Sequence, residues 1–310
     1  MADAEQIQQI MATLQLDIPT IEKYKTVAKE FGEPEKIEEL PGGGSFGWFG
    51  SKTASKVLGY IPGGGFISYA SVYQVQTAYD VYKDFKSRNG VEAALAVLSY
   101  DVATVKPFPA QLHQTVRFVQ RLLEGRKAEN IELFGESAGG ALIIGSILHL
   151  HHPHPKSERL SLPKGQQLGR ILLISPSGPI PTSAASFTEN MDKDSFKPEM
   201  AQFLWDKINL KENHDADIPI ESSWLAPALK LEEDWYSDWP VADTRIIWGN
   251  NEILRDDIAR VANVIKARSG KPVRLEGIDG ATHCPYIFER LMKAPPGAYA
   301  QAITKWGQGS

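Results

Sequence analysis

The sequence predicts an α/β protein, a mostly parallel sheet covered by helices on both faces, and three observations lead there. Apolar runs of strand length alternate with stretches whose apolar residues recur at helical spacing. Some runs, such as Ala93-Ala-Leu-Ala-Val-Leu98, are apolar throughout, as strands buried on both faces must be. In Ile131-Glu-Leu-Phe-Gly-Glu-Ser-Ala-Gly-Gly-Ala141, an apolar run meets a helix-like segment through a glycine-flanked serine. At 310 residues and 42% hydrophobic, the chain can bury one large core, or one core plus a lid.

In order, residues 3–31 read as one or two short amphipathic helices, with Ile7, Ile10, Met11 and Leu14 on one face and Pro19 starting a second segment. They form a packing arm or part of a lid. Residues 36–40 and 46–49 read as strands joined by a hairpin turn at Pro41-Gly-Gly-Gly-Ser45. No Gly-Lys-Ser/Thr and no helix follow that glycine run, so it is not a phosphate loop. Residues 56–61 form a short strand entering Pro62-Gly63-Gly64-Gly65-Phe66, and 71–88 a helix with Val72, Val75, Ala78, Tyr79 and Tyr82 on one face. Strand 93–98 precedes a helix over 111–124, which Gly125 stops. Strand 131–134, helix 141–150 and the apolar strand 170–175 follow.

From Pro176 to Pro240 the pattern breaks into prolines, serines and the tryptophans 205, 224, 235 and 239. A long insertion without strands between two strands reads as a cap over a pocket. Alternation then resumes with strand 244–248, helix 253–268, strand 273–278 and helices 284–293 and 299–306. The whole chain, 1–310, is expected to be one domain, with cap elements at about 1–32 and 180–240.

Composition narrows the function. The net charge is −5 without a basic stripe or polybasic segment, so neither nucleic acid nor a membrane surface is an expected partner. Cys284 is the single cysteine, which rules out an internal disulfide and a cysteine metal cluster. No apolar run approaches the ~20 residues of a transmembrane helix. The polar, acidic start has no signal-peptide pattern, and a cytoplasmic location is expected. His149, His151, His152 and His154 run off a helix into a proline-rich loop without a nearby carboxylate, so no metal is expected there, and no cofactor elsewhere.

The serine stretch is where chemistry is expected. Glycines two residues to either side of Ser137 are needed where strand and helix nearly touch. Alone, the pattern would arise by chance in about one chain in ten of this length. A serine hydroxyl also needs a base within hydrogen-bond reach and a third group to orient that base. His283 follows the last strand in Asp279-Gly-Ala-Thr-His283 and is the candidate base. Glu252, in the loop after strand 244–248, is the candidate acid. Asp256 and Asp257, where the next helix starts, remain alternatives that read better as helix-end charges. Gly63-Gly64-Gly65 can present backbone N–H groups to a developing oxyanion, with the N–H of Ala138 completing the set. Cys284 neighbours His283, but adjacent residues rarely face each other productively.

With these parts assembled, the chain resembles the α/β-hydrolase fold, and within it the hormone-sensitive-lipase-like esterases. The likeness is nearest to their fungal branch of steryl acetyl hydrolase-like and secondary-metabolism enzymes. It rests on Gly63-Gly64-Gly65-Phe66, Ser99-Tyr-Asp-Val-Ala103, the Gly135–Ala141 stretch, Glu252-Ile-Leu-Arg-Asp-Asp257 and the His283 loop, over about residues 55–290. The resemblance implies an eight-stranded, mostly parallel sheet, a helical cap, and hydrolysis of carboxylic esters through an acyl-enzyme. It assigns Ser137 as nucleophile, His283 as base, Glu252 as orienter, and Gly64, Gly65 and Ala138 as oxyanion donors.

Two departures stand out. Pro62 occupies the place of the family's usual histidine, and without an N–H or polar side chain it requires the oxyanion loop to be held differently. Glu252 stands where the family has aspartate. The expected substrate is a hydrophobic small-molecule ester, an acetyl ester being one form, and a homodimer is left open. The rivals are a non-hydrolytic acyl transfer, elimination or cyclisation on a natural product, and a ligand receptor built on the same pocket.

Overall fold

The computed structural model describes residues 4–90, 93–178, 183–215, 217, 222, 224–228 and 230–309. Eight strands form one sheet: β1 (Ile37–Glu39), β2 (Ser45–Phe49), β3 (Lys56–Ile61), β4 (Ala93–Ser99), β5 (Ile131–Glu136), β6 (Leu168–Ile174), β7 (Val241–Gly249) and β8 (Val273–Ile278). Their order is β1-β2-β4-β3-β5-β6-β7-β8, with only β1·β2 and β2·β4 antiparallel. The hairpin at the glycine run and the mostly parallel sheet follow the sequence expectation.

Period-two alternation sends successive side chains to opposite faces of each strand, which is why the core divides in two. Ala94, Ala96 and Leu98 of β4 join one cluster, and Ala93, Leu95 and Val97 the other. On β6, Ile171 and Leu173 part from Leu172 and Ile174 in the same way. The first face is covered by α4 (Ala110–Leu123), α5 (Ala138–His151) and α8 (Arg255–Arg268), through Phe118, Ile143 and Ile265. The second is covered by α2 (Thr20–Glu30), α3 (Val72–Asn89) and α10 (Ala298–Gln308), through Tyr24, Tyr82 and Trp306. The remaining helices are α1 (Ala4–Thr13), α6 (Ala185–Glu189), α7 (Pro198–Ile208) and α9 (Tyr286–Leu291).

Strand order reverses at β3, which has β4 on one side and β5 on the other, so their carboxyl ends open a crevice of the kind where ligands bind in open α/β sheets.

Several boundaries differ from those expected. Strand β7 starts at Val241 rather than 244, and α8 at Arg255 rather than 253. The helix expected over 284–293 is shortened to α9, because Cys284 has φ +48°, outside the helical range. Of the 180–240 cap segment, residues 180–182, 216, 218–221, 223 and 229 lie outside the described residues, as do residues 1–3 of the other cap element. The tryptophans of this segment do not line the cleft. Trp239 is fully buried, while Trp205, Trp224 and Trp235 pack against the core cluster. An aromatic-rich stretch has the same composition whether it covers a ligand or a sheet.

The histidine tract is structural in its surroundings, and it joins His113 of α4. The His149 Nε2 faces the Glu158 carbonyl at 2.7 Å, so it carries the proton, and Nδ1 accepts the His154 N–H at 2.9 Å. Burial pushes both His113 and His154 down to about 4, with neighbouring positive groups adding to it. Both are then neutral in the fold where the unfolded chain binds protons. Through these two residues stability should fall as pH drops from 6.5 toward 4, with a slope of up to about 2.7 kcal/mol per pH unit for two protons, whereas a histidine held above its usual value, as His283 is, contributes stability that is lost as pH rises above 6.5. Urea unfolding at pH 7, 6 and 5 checks this, and His154→Gln should flatten the dependence. Equal stability at all three pH values would contradict it.

Candidate active site

Strand β5 drives toward the sheet's carboxyl edge and turns at Ser137, whose φ of +50° is rarely adopted by a non-glycine residue. The turn is tight because neighbours are small. A Cβ on Gly139 would come within 2.0 Å of the Ile61 carbonyl oxygen, which no rearrangement of side chains could relieve. The Ser137 N–H donates to the Ile174 carbonyl at 2.8 Å and pins the turn to β6. Helix α5 starts at the next residue, not at 141, so its positive end faces the serine.

The Ser137 Oγ lies 3.0 Å from His283 Nε2, and His283 Nδ1 lies 2.8 Å from Glu252 Oε2. These three residues are 146 and 31 positions apart in sequence, and the sheet brings them into one line. A carboxylate only accepts, so Nδ1 carries the ring proton and Nε2 is left to accept from the serine. Glu252 is fully buried and takes two further donors, the Gly249 N–H at 2.5 Å and the Ser175 hydroxyl. The Ser175 hydroxyl is bonded in turn to the Tyr299 hydroxyl. Asp256 sits elsewhere, accepting the Ser186 N–H at 2.9 Å and pairing with Arg255. Asp257 pairs with Arg260 at 3.1 Å.

Burial pushes the Glu252 carboxyl up, against the pull of His283, Ser175 and the Gly249 N–H. Burial alone would lower His283, but the facing Cys284 and Glu252 outweigh it and hold the imidazole well above its usual value. Of these two, Glu252 supplies the charge, because burial pushes the Cys284 thiol up and keeps it protonated.

Gly64 and Gly65 follow β3 with φ +139° and +58°, conformations open to glycine. Among the described residues no hydrogen bond takes up the N–H of Gly64, Gly65 or Ala138. The loop is held from below by Glu136, the residue before the serine. Its Oε1 accepts from the Gly63 N–H at 2.7 Å, the Gln74 amide at 2.7 Å and the Tyr60 hydroxyl at 2.9 Å. Gln74 also closes the capping box at the start of α3 with Ser71, a feature worth about 1 kcal/mol. The Tyr100 hydroxyl donates to the Pro62 carbonyl at 3.1 Å. This is how the loop stands without the histidine that Pro62 replaces.

Sequence reasoning quoted Glu136 without giving it a part, and passed over Ser175 and Gln74. The one signal was an ionisable residue between Gly135 and Ser137, where burial was already expected.

Above the serine opens a cleft of about 1040 Å³ of empty space, its open mouth included. Ile10 and Leu14 line it from the N-terminal segment, Phe196, Met200 and Phe203 from the insertion, and Phe288 from α9. Among the described residues it holds no lysine or arginine, and Glu136 is its one carboxylate. No group of three or more His, Cys, Asp or Glu among them could hold a metal ion. No helix among them is long and apolar enough to cross a membrane.

A family model described as alpha/beta hydrolase fold matches residues 58–287. The chain belongs to that family. Solved structures share its architecture. Esterase LipW from Mycobacterium marinum aligns with TM-score 0.70 at 18% identity, over 100% of this chain and 90% of that one. Carboxyl esterase 2 from the mycorrhizal fungus Tuber melanosporum gives 0.68 at 18%, over 89% and 86%. A thermostable esterase from Pseudomonas putida gives 0.66 at 18%, over 89% and 81%. In sequence alone, no curated protein matches this chain. At these identities the likeness speaks for the fold: an eight-stranded, mostly parallel alpha/beta hydrolase sheet.

Proposed function

We propose that this alpha/beta hydrolase cleaves carboxylic esters of neutral, apolar small molecules through an acyl-enzyme on Ser137. The single observation carrying the proposal is the continuous line Ser137 Oγ–His283–Glu252, with distances of 3.0 and 2.8 Å. His283 Nε2 takes the serine proton as Oγ attacks the ester carbonyl, and Glu252 holds the ring in the required tautomer. The carbonyl oxygen, becoming an oxyanion, meets the N–H groups of Gly64, Gly65 and Ala138. The imidazolium then returns its proton to the departing alcohol, and water repeats the sequence to release the acid.

The lining, without lysine or arginine among the described residues, favours a neutral substrate. A carboxylate buried there without a basic partner would cost several kcal/mol. Helix α1 and the loop after it, with the α7 end of the insertion, serve as the cap, while α2 stays on the sheet. An acetyl ester of an apolar alcohol, as in the fungal steryl acetyl hydrolase-like branch, fits this cleft. Donors left free despite Pro62 favour acyl chemistry on an ester carbonyl over elimination. The aligned Ser137, His283 and Glu252 also argue against a pure receptor.

The test is turnover of p-nitrophenyl acetate and butyrate against p-nitrophenyl succinate. Butyrate should exceed acetate by about tenfold in kcat/KM, since two buried methylenes contribute about 1.6 kcal/mol. Succinate, of similar length but charged, should be at least about tenfold poorer than butyrate. No turnover of any of the three would sink the proposal.

A further inference from the structure

The loop between α6 and α7 reaches both of the loops that carry the acid and the base, and one of its residues bonds to each. Asp194 is buried, at 1% exposure. Its Oδ2 accepts the N–H of Ile253, the residue after Glu252, at 2.8 Å. Its Oδ1 accepts the N–H of His283 itself at 2.8 Å and that of Phe196 at 3.2 Å. Among the described residues no basic side chain lies within ion-pair distance of it, so backbone N–H groups satisfy the carboxylate. Four residues earlier, the Asn190 amide donates to the carbonyls of Glu252 at 2.8 Å and Asn250 at 3.1 Å. The same loop lays the Phe196 ring against the imidazole, centroids 5.1 Å apart.

We infer that Asp194, with Asn190 beside it, is a positioning residue that sets the separation of the Glu252 loop from the His283 loop. The inference rests on the proposed roles of Ser137, His283 and Glu252. The chemical reason is valence. Bridging two separated N–H groups on different loops takes two acceptor oxygens, which only a carboxylate at this position offers. An asparagine keeps one acceptor and turns an NH2 toward the other N–H, so one loop is released. The insertion is thus a brace for the reacting groups as well as a wall of the cleft. Asp194 itself does not line the cleft, and an asparagine that keeps its Oδ1 on the Phe196 N–H leaves that wall in place, so substrate binding should change little.

Asp194→Asn and Asn190→Ala are to be measured with p-nitrophenyl butyrate, each well below its melting temperature. Proton NMR of the same samples follows the downfield resonance of the His283 Nδ1–H bonded to Glu252. In Asp194→Asn, kcat should fall about 100-fold, as expected for a displacement of about 1 Å between reacting groups. KM should stay within about threefold, and the downfield proton should move upfield or vanish. Asn190→Ala should show the same pattern more weakly, and answers alone if Asp194→Asn does not fold. A downfield proton unchanged in every variant that folds overturns the inference, whatever the turnover. If the wild-type chain turns over no ester, the hydrolase reading fails, and the resonance still decides whether Asp194 positions the base.

Discussion

Ser137→Ala is expected to lower kcat for p-nitrophenyl butyrate by about a millionfold, the scale seen when a hydrolase loses its nucleophile. The reason is local. Among the described residues the Oγ is the hydroxyl hydrogen-bonded to His283 Nε2, so its removal leaves the base without that proton to take. The residual rate should be what the oxyanion donors and the cleft supply unaided. Binding should survive, because the apolar lining is untouched, and a nonhydrolysable ester analogue should bind within about threefold of wild type. The fold should survive too, since the tight turn depends on Gly135 and Gly139 rather than on the hydroxyl. Steady-state rates with calorimetric binding check both halves. A variant keeping more than about 1% of wild-type turnover would place the nucleophile elsewhere.

Glu252→Gln should be nearly as damaging, with kcat down by about 10⁴. The substitution preserves size but exchanges an acceptor for a donor in a fully buried site. With its oxygen kept by Ser175 and the Gly249 N–H, the glutamine turns its NH2 toward His283 Nδ1. That favours the tautomer with the proton on Nε2, which cannot accept from Ser137. The pH dependence carries a second signature. In the wild type His283 is held well above its usual value, so the acidic limb of kcat/KM should lie above pH 6.5, activity rising as the imidazole loses its proton. Without the Glu252 charge the imidazolium is less favoured, and the limb of the residual activity should move to lower pH. An unmoved limb would mean that Glu252 does not set the basicity of His283.

Sequence reading went furthest where a single segment carries its own pattern. The strands are legible because their apolar runs are continuous, and the turn at Ser137 because the glycines permit the close approach. Loop position singles out Glu252 and His283 as candidates, each just past a strand's carboxyl end, which is where the parallel sheet brings loops together. What escaped needed contacts between distant segments. Glu136 grips Gly63 across 73 positions, and Asp194 reaches His283 across 89. No periodicity encodes a carboxylate's choice of partner. Tryptophans 205, 224, 235 and 239 read equally well as cap or core for the reverse reason, since aromatic composition is the same in both, and they pack on the core. The shortened α9 turns on two backbone angles, a φ of +48° at Cys284 before it and of +54° at Lys293 after it, events with no residue-type signature.

The most direct measurement is intact-mass and peptide mapping after exposure to a fluorophosphonate, on the wild type and on His283→Ala. The wild type should gain one adduct, localised to the peptide carrying Ser137. His283→Ala should react at least about a thousandfold more slowly, because the hydroxyl then lacks its base. An adduct on another serine, or equal labelling of both proteins, would contradict the reading of Ser137 as a nucleophile activated by His283.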